Sequence, residues 1–401
     1  MKHIQAATAL LFAVPLVLTA CGSAAGAAPS STSGAATTSA AAASPIVYRW
    51  GVPGSNGAVV PLERATPAAV TGITGKVVQL ATSNSDGYAL TSSGVVWAWG
   101  VDNYGELGDG TTSPYSTRAV RVSFPAGVRI VALPNPMPFD GALAIDSRGH
   151  AWGWGLNADA DLCLPGLAEL RPEQLPLHGV TLATGARAHS LFYAMGTVYA
   201  CGSGTDGALG TGSTADSPRP ARVTGLPAGM RVISLTSSWN GSGALLSDGV
   251  YYDWGYNAAG QLGDGGTADS DVPVTVRLPA AIRQVSQGGS SAGNGQTIAI
   301  LANGSVWSWG ANKTGQLGDG GTASSDVPVR VHVPPELTFV KVNSGGYACY
   351  AIDRQRRLWA WGSNDYGQLG TGSSALLETM PVDVGIHLTQ VSSTARNVAG
   401  F

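Results

Sequence analysis

The chain is 401 residues long, and its 44% hydrophobic and 12% charged residues exclude intrinsic disorder, which requires low hydrophobicity and high charge. A formal charge of −3 gives no reason to expect a nucleic-acid partner, because phosphate binding depends on clustered Lys and Arg. The 56 glycines favour a folded β protein with many turns.

The first predicted element is an export signal. Lys2 precedes the apolar run LLFAVPLVL at residues 10–18, which is shorter than the roughly 20 residues that span a bilayer. The run ends in Leu-Thr-Ala-Cys, which resembles the lipobox of bacterial lipoproteins. The resemblance implies a signal peptide over residues 1–20, a lipid on Cys21 and attachment to the outer face of the bacterial cell membrane. The alternative is an ordinary secretory signal with an incidental cysteine.

Residues 22–45 form a low-complexity segment of almost only Ala, Ser, Thr and Gly. Such a segment cannot bury a core and behaves as a flexible tether. We therefore predict a lipidated linker over residues 21–45 and a folded domain over residues 46–401. Membrane contact is expected only through the lipid on Cys21.

From residue 46 onward the chain repeats one pattern. A glycine that follows Trp or an equivalent residue recurs at intervals of 47 to 55 residues. These glycines are Gly51, Gly100, Gly155, Gly202, Gly255, Gly310 and Gly362. A regular period of this length is typical of repeat architectures.

One period contains four short predicted strands, for example residues 326–333, 339–343, 347–353 and 357–362. A single such sheet cannot cover both of its faces, and a closed ring of sheets leaves no uncovered ends. The C-terminal residues 388–401 supply only part of a period, and residues 46–51 supply its missing Trp-Gly strand. We predict an all-β, seven-bladed β-propeller of four-stranded antiparallel blades, with the last blade closed by the N- and C-terminal strands.

The repeated motif resembles that of the regulator-of-chromosome-condensation (RCC1-like) repeat propellers. It is clearest in WGYNAAGQLGDG (254–265), WGANKTGQLGDG (309–320) and WGSNDYGQLGTG (361–372), and weaker in WGLNADADLCLPG (154–166) and CGSGTDGALGTG (201–212). The resemblance covers residues 46–401 and implies the propeller fold. It also suggests guanine-nucleotide exchange on a small GTPase, but predicted export and the lack of an insertion resembling the eukaryotic wedge segment argue against that activity.

The repeated residues are explained by packing. Paired Trp residues alternate across a strand and point to opposite faces, the following Gly permits positive φ, and the Leu of Gly-Gln-Leu-Gly is expected to fold back between blades. The predicted structural repeat residues are Trp97, Trp99, Gly100, Trp152, Trp154, Gly155, Trp254, Gly255, Trp307, Trp309, Gly310, Trp359, Trp361, Gly362, Leu107, Leu262, Leu317 and Leu369.

No catalytic constellation is recognisable in the sequence. It contains no paired-histidine motif, nucleophile elbow or phosphate loop, and His189 is interpreted as a structural turn residue. The Gly-Asp-Gly turns at Asp109, Asp264 and Asp319 do not have the spacing of a calcium loop. We predict no metal, no cofactor and no enzymatic activity.

Three cysteines follow Cys21, so at least one lacks a partner within the folded chain. Cys201 occupies the position of a repeated Trp, and Cys163 that of a repeated Gly. A Cys163–Cys201 bridge between adjacent blades is an option, but buried free thiols are the favoured interpretation.

Function is expected where the repeat varies, in the loops that precede the strand exemplified by residues 347–353. Equivalent loops of a ring emerge on one face. The alignment places Arg187 level with Asp140 and Asn240. The predicted partner-binding face comprises Asp86, Phe139, Asp140, Arg187, Trp239, Asn240, Tyr347 and Arg396.

These observations favour a non-enzymatic, surface-anchored monomer that binds a protein or cell-envelope partner through this face. Exposed aromatic and charged residues are typical of binding hot spots, whereas the alternative is that the aromatics are buried and the charges are merely solvated. Other functions that stay open are a guanine-nucleotide-exchange-type regulator, a secreted inhibitor resembling β-lactamase inhibitors, and a propeller enzyme.

Overall fold

The computed structural model describes residues 46–51, 64–289, 293–394 and 397–401. The predicted signal peptide, Cys21, the linker up to residue 45 and Arg396 lie outside these ranges. The described residues form seven antiparallel sheets of four strands each. Each sheet is one blade of a propeller, which confirms the predicted fold class.

The chain starts with two strands that belong to the last blade, and then builds complete blades in order. Those two strands are β1 Tyr48–Gly51 and β2 Arg64–Ala69. Blade 1 comprises β3 Val77–Thr82, β4 Asp86–Thr91, β5 Val96–Asp102 and β6 Ser113–Arg121. Blade 2 comprises β7 Ile130–Ala132, β8 Gly141–Asp146, β9 Ala151–Leu156 and β10 Ala168–Gln174. Blade 3 comprises β11 Val180–Gly185, β12 His189–Ala194, β13 Thr197–Gly202 and β14 Ser217–Arg222, with a 3-10 turn at Thr205–Gly207.

The second half of the ring repeats the same order. Blade 4 comprises β15 Val232–Ser237, β16 Gly241–Leu246, β17 Tyr251–Gly255 and β18 Ser270–Thr275. Blade 5 comprises β19 Ile282–Gly288, β20 Gln296–Leu301, β21 Val306–Gly310 and β22 Ser325–Arg330. Blade 6 comprises β23 Phe339–Ser344, β24 Ala348–Asp353, β25 Arg357–Ser363 and β26 Leu377–His387. Blade 7 begins with β27 Val391–Ser393 and β28 Asn397–Gly400.

Blade 7 is completed by the start of the chain. Strand β1 pairs antiparallel with β28, so that Trp50 lies opposite Val398, and β2 pairs with the other edge of β1. The sheet order is therefore β27-β28-β1-β2. This pairing confirms that the two ends of the folded chain close the ring.

Burial follows the position of a strand within its blade. The second strands β4, β8, β16, β20 and β24 are buried at every residue, whereas the residues of the fourth strands β6, β14, β18 and β22 are almost all half-buried or exposed. Prolines such as Pro218, Pro273 and Pro328 lie in these fourth strands. Proline is confined to edge strands because it has no N–H to donate to a neighbour. The core therefore lies between the inner parts of adjacent blades.

A glycine–tryptophan contact, which we call the Gly–Trp contact, joins adjacent blades. Gly318 of the blade 5 motif has a φ of +69°, and a Cβ placed on it would lie 2.6 Å from the indole of Trp361 in blade 6. Only glycine fits both constraints. The described pairs are Gly108–Trp154, Gly210–Trp254, Gly263–Trp309, Gly318–Trp361 and Gly370–Trp50.

The tryptophans in this contact include Trp154, Trp309 and Trp361, the second members of three predicted pairs, and all five contacting tryptophans are completely buried. The indole N–H of Trp361 donates to the carbonyl oxygen of Gln316 at 3.0 Å, and Trp154, Trp254 and Trp50 make the equivalent bond to the preceding blade. The first tryptophans Trp97, Trp307 and Trp359 are half-buried. Leu107, Leu262, Leu317 and Leu369 are all buried.

The junction between blades 2 and 3 is different, because Cys163 and Cys201 form a disulfide across it. The expectation of free thiols was wrong for this pair. Cys349 is free and buried, so one cysteine of the described domain is indeed unpaired. The pair was misjudged because the contact between the two repeat positions that the cysteines occupy is not visible in the sequence.

The first strands line the central channel and are linked side by side around it. The Gln390 side chain donates to the Leu80 carbonyl oxygen at 2.9 Å and accepts from the Leu80 N–H at 3.1 Å. Gln284 makes the same pair of bonds to the backbone of Val342 in the next blade. A side-chain amide that binds both groups of one peptide unit satisfies buried backbone polar groups that would otherwise be unpaired.

Candidate functional site

All seven blades meet at one end of the channel, which we call the mouth. The segment that joins the first and second strands of a blade is called the mouth loop, and the described residues of these segments lie there. A cavity of about 50 Å³ at the mouth is lined by every blade, with Asn84, Phe139, Arg187, Ser238, Gly288, Gly346 and Thr394 among its residues. Ligand pockets for drug-sized molecules have volumes of roughly 300–1,000 Å³, so this cavity is too small to enclose such a molecule. The mouth therefore offers a surface rather than an enclosed substrate site.

Three of the predicted residues form a stack at the mouth. The Arg187 guanidinium carbon lies 4.3 Å from the ring centroid of Trp239, and Phe139 meets the Trp239 ring edge-on at 6.0 Å. Arg187 is exposed, and the two aromatic side chains are half-buried. We call Phe139, Arg187 and Trp239 the mouth cluster. Its members come from blades 2, 3 and 4, which are distant in sequence.

The mouth cluster uses one structural position three times. His189 pairs across its blade with Gly202, as Gly141 does with Gly155 and Gly241 with Gly255. Phe139, Arg187 and Trp239 thus each lie two residues before the second strand of their blade. The alignment that set Arg187 level with Asp140 and Asn240 was wrong by one residue.

A guanidinium stacked on an indole keeps its in-plane N–H groups available for an anionic group. The Arg187 guanidinium makes no hydrogen bond to any residue that the structure describes. The Trp239 ring beneath it is large, and its side chain has few rotamers. This combination fits recognition of a carboxylate or a similar anion next to an apolar contact.

The other predicted face residues differ in their surroundings. Asp86 is buried and accepts a hydrogen bond from the Ser83 hydroxyl at 2.7 Å. Asn240 donates to the Asp206 carboxylate at 2.7 Å, and Asp140 and Tyr347 are half-buried. Arg396 lies outside the described residues. The structure brings together Phe139, Arg187 and Trp239, and it places Asp86 beneath the surface.

A group of buried carboxyls beside the mouth went unnoticed in the sequence. Glu106 occupies the position of Gln261, Gln316 and Gln368 in the repeated motif, and its Oε2 accepts the backbone N–H of Tyr104 as the Gln oxygens accept theirs. Glu106 Oε1 has no hydrogen-bond partner among the described residues. The signal that could have revealed this group is the change of Gln to Glu in one repeat.

Burial dominates the protonation of these carboxyls. It raises the pKa of Glu106 to about 7 and that of Asp102, which replaces the repeated Asn, to about 6. Burial and the nearby Glu106 carboxylate raise the pKa of Asp86 well above its usual range, and burial raises the pKa of Asp161 to about 8. Glu106 and Asp102 are isosteric with the Gln and Asn of the other repeats, and each replaces an amide by a carboxyl that binds a proton near neutral pH.

His189 is a structural residue. It is buried, its Nε2 lies 2.7 Å from the Ser242 hydroxyl of blade 4, and that hydroxyl donates to the Ala208 carbonyl oxygen. Burial lowers the pKa of the His189 imidazole to about 4, so the ring is neutral at physiological pH. A buried ring engaged in this way cannot reach a substrate as a general base.

The described part of the chain contains no cluster of three His, Cys, Asp or Glu side chains placed to hold a metal ion. Over the same residues, no helix has the length and apolar character needed to cross a membrane.

The chain is similar to known proteins in both sequence and fold. The sequence profile of the regulator of chromosome condensation (RCC1) repeat matches residues 195–245, 248–299, 303–352 and 357–397, and a second profile of this repeat matches residues 339–368. The ultraviolet-B receptor UVR8 of Arabidopsis thaliana is 28% identical over 336 residues, which cover 80% of this chain and 74% of the receptor. The human E3 ubiquitin-protein ligase HERC2 is 27% identical over 312 residues, which cover 74% of this chain but 6% of the ligase.

Two solved structures share the fold. Human WBSCR16 superposes with a TM-score of 0.75 at 21% identity, covering 88% of this chain and 98% of that one. Prp20p of Saccharomyces cerevisiae superposes with a TM-score of 0.73 at 20% identity, covering 89% of this chain and 91% of that one. The chain therefore carries RCC1 repeats over residues 195–397, and its described residues fold as a seven-bladed β-propeller.

Proposed function

We propose that the propeller is a non-enzymatic binding module that holds a protein or cell-envelope partner at its mouth. The observation that carries this proposal is the mouth cluster, in which an exposed guanidinium without a hydrogen-bond partner among the described residues stacks on half-buried aromatics. Clusters of Trp and Arg near the centre of a surface contribute most of the binding energy in protein interfaces. The partner presents an anionic group to Arg187 and an apolar surface to Trp239 and Phe139.

Two further observations support a binding role. Prp20p, which shares this fold, has binding properties to Gsp1p and histones, and yeast Prp20 also binds Kap60. The small cavity and the buried His189 leave the mouth with no enclosed site at which His189 could act on a substrate. A propeller that offers only a surface is suited to holding a partner.

We place the domain outside the cell, tethered through a lipid on Cys21. The lipobox-like LTAC and the Ala/Ser/Thr linker support this location. The Cys163–Cys201 disulfide supports it as well, because disulfides persist in oxidising compartments.

A photo-crosslinking experiment tests the binding face. Tyr347 at the mouth is replaced by the photoreactive p-benzoylphenylalanine, and Met195 is replaced in the same way as the matched control. Met195 is exposed and lies in the hairpin at the opposite end of blade 3. We expect a discrete adduct from intact cells at residue 347 and none at residue 195.

Second-site variants decide whether the mouth cluster carries the binding. Arg187→Ala and Trp239→Ala should each reduce the adduct at residue 347 about tenfold, as truncation of a hot-spot residue does. Arg187→Lys keeps the charge but loses the planar stack, and it should give an intermediate yield. Equal adducts at both positions, or an adduct unaffected by Arg187→Ala and Trp239→Ala, would refute the proposed face.

A further inference from the structure

The disulfide between blades 2 and 3 occupies the place of a Gly–Trp contact. Cys163 stands where Gly108, Gly210, Gly263, Gly318 and Gly370 stand in the other motifs, and Cys201 stands where the contacting Trp stands. The φ of Cys163 is +54°, which is the left-handed conformation of those glycines. Both members of one contact have therefore changed together.

Neither replacement fits the junction alone. A Cβ on the equivalent glycines would lie within 2.6–2.8 Å of the indole, so Cys163 excludes a tryptophan at position 201. Cys201 opposite a glycine would leave the volume of the indole unfilled, and unfilled core volume is destabilising. The disulfide is thus a substitute for the packing contact rather than an addition to it.

The substitute lacks one bond that four of the other junctions have, the indole N–H bond made by Trp50, Trp154, Trp254 and Trp361. Cys201 Sγ lies 3.6 Å from the Asp161 carbonyl oxygen, which corresponds to the oxygens that accept an indole N–H elsewhere in the ring. A disulfide sulfur has no hydrogen to donate. Without the covalent bond, the junction would keep its apolar packing and three backbone bonds. Two lie at the mouth, from Phe139 N–H to Ala186 O and from Gly185 N–H to Pro136 O, and the third, from Val180 N–H to Gly149 O, lies at the opposite end of the blades.

We propose that the junction between blades 2 and 3 is a redox-dependent closure, so that the mouth is held rigid only when Cys163 and Cys201 are oxidised. The closing step is thiol–disulfide exchange with a disulfide oxidant. One cysteine thiolate attacks the oxidant and forms a mixed disulfide, and the other cysteine thiolate then displaces the reduced oxidant. The two cysteines lose two electrons and two protons in total, and the oxidant gains them as a dithiol.

The position of this junction connects it to the mouth. Phe139 lies on the blade 2 side and Arg187 lies on the blade 3 side. Arg187 stacks on the Trp239 ring, and Phe139 meets that ring edge-on. A junction that opens separates Phe139 from the other two members of the mouth cluster. The expectation that partner binding then weakens rests on the proposed function. The redox-dependent closure of the junction does not.

The first test measures stability in the full chain with Cys349→Ala, which removes the free thiol. The chain is refolded with or without dithiothreitol, and thermal unfolding is followed by circular dichroism. A disulfide that spans 38 residues is expected to raise the midpoint by about 5 °C in a domain of this size. The midpoint of Cys163→Ala/Cys201→Ala should equal that of the reduced chain and should not change with dithiothreitol.

The decisive variant restores the contact that the other junctions use. Cys163→Gly/Cys201→Trp should recover most of the decrease in the unfolding midpoint, and its midpoint should not depend on dithiothreitol. Cys201→Trp alone should be less stable than Cys163→Ala/Cys201→Ala, because the indole then meets the Cys163 side chain. If the double variant is no more stable than the alanine pair, or if the reduced chain keeps the oxidised midpoint, the proposal is wrong.

The second test locates the opening by amide hydrogen exchange. Reduction should increase exchange at the amides of Phe139 and Gly185, and it should leave the Gly346 amide, which bonds Thr394 O between blades 6 and 7, unchanged. Equal changes at all three amides would show general loosening and contradict a local closure. These measurements involve no partner, so they stay interpretable if crosslinking at the mouth fails.

Discussion

Replacing Glu106 by the residue that the other repeats carry should remove part of the pH dependence of stability. Glu106 is 1% exposed, and burial raises its pKa from the ordinary 4.5 to about 7. In Glu106→Gln the amide keeps the bond to the Tyr104 N–H, because Gln261, Gln316 and Gln368 make the same bond. The substitution thus removes a titrating group with little change in geometry.

The direction of the effect follows from the raised pKa. Below pH 4.5 the carboxyl is protonated in both the folded and the unfolded chain, and its titration has no influence on stability. As the pH rises toward 7 the unfolded chain releases the proton while the folded chain keeps it, so the free energy of unfolding falls. A pKa difference of 2.5 corresponds to about 3 kcal/mol lost above pH 7.

Thermal or urea unfolding at pH 5 to 8.5 measures this effect. Glu106→Gln should exceed the wild type by up to about 3 kcal/mol at pH 8.5, or about 4 °C in midpoint, and the difference should shrink toward pH 5. Asp248→Asn, an exposed change of equal charge, is the control and should show a small difference independent of pH. A constant offset between Glu106→Gln and the wild type across this range would refute the argument from burial.

Three further changes probe other parts of the structure. Gly318→Ala should lower the free energy of unfolding by about 3 kcal/mol in urea titration, because the new Cβ meets the Trp361 indole, whereas Gly304→Ala has the same positive φ but open space and should cost about 1 kcal/mol; equal costs would contradict the Gly–Trp contact. Gln390→Ala should cost about 2 kcal/mol for two lost hydrogen bonds and should speed exchange of the Leu80 amide; unchanged exchange there would show that the link is dispensable. Cys21→Ser should move the protein from the membrane fraction to the soluble extracytoplasmic fraction, and retention in the membrane would contradict a lipid anchor on this residue.

The fold was predictable because the residues that pack the blades together recur at regular intervals in the sequence. The spacing of the Trp-Gly strands indicated the blades, and the complementary chain ends indicated how the ring closes, as the pairing of β1 with β28 confirms. For the same reason, motifs that are identical in every blade carry no information about the site. What distinguishes one blade from another had to be read from individual residues.

The one-residue error at Arg187 has a local cause. In blade 1 the Trp-Gly glycine lies fourteen positions after the start of the second strand, whereas Gly202 lies thirteen positions after His189. The blade 3 hairpin turns through Met195 and Gly196 alone, both with positive φ, and is one residue shorter. Counting back from Gly202 therefore placed the mouth loop one position too early.

Burial at the mouth could not be deduced from the sequence. Asp86 and Arg187 both belong to variable loops, yet Asp86 lies under the surface beside Ser83 and Arg187 is exposed on Trp239. Which charge is buried depends on the side chains of neighbouring blades. For the same reason the pairing of Cys163 with Cys201 required knowledge of which repeat positions touch.

The difference between junction and mouth explains where this ring can diversify. At a junction, side chains hold the blades together, so a change at Gly or Trp requires a matching change in its partner, as Cys163 and Cys201 show. At the mouth, backbone bonds hold the loops: the Asn84 N–H donates to Phe139 O, and the Phe139 N–H donates to Ala186 O. Because those bonds do not depend on the side chains, the mouth can carry Phe139, Arg187 or Trp239 at one structural position without opening the ring. Binding specificity is therefore free to vary at the mouth and is restricted at the junctions.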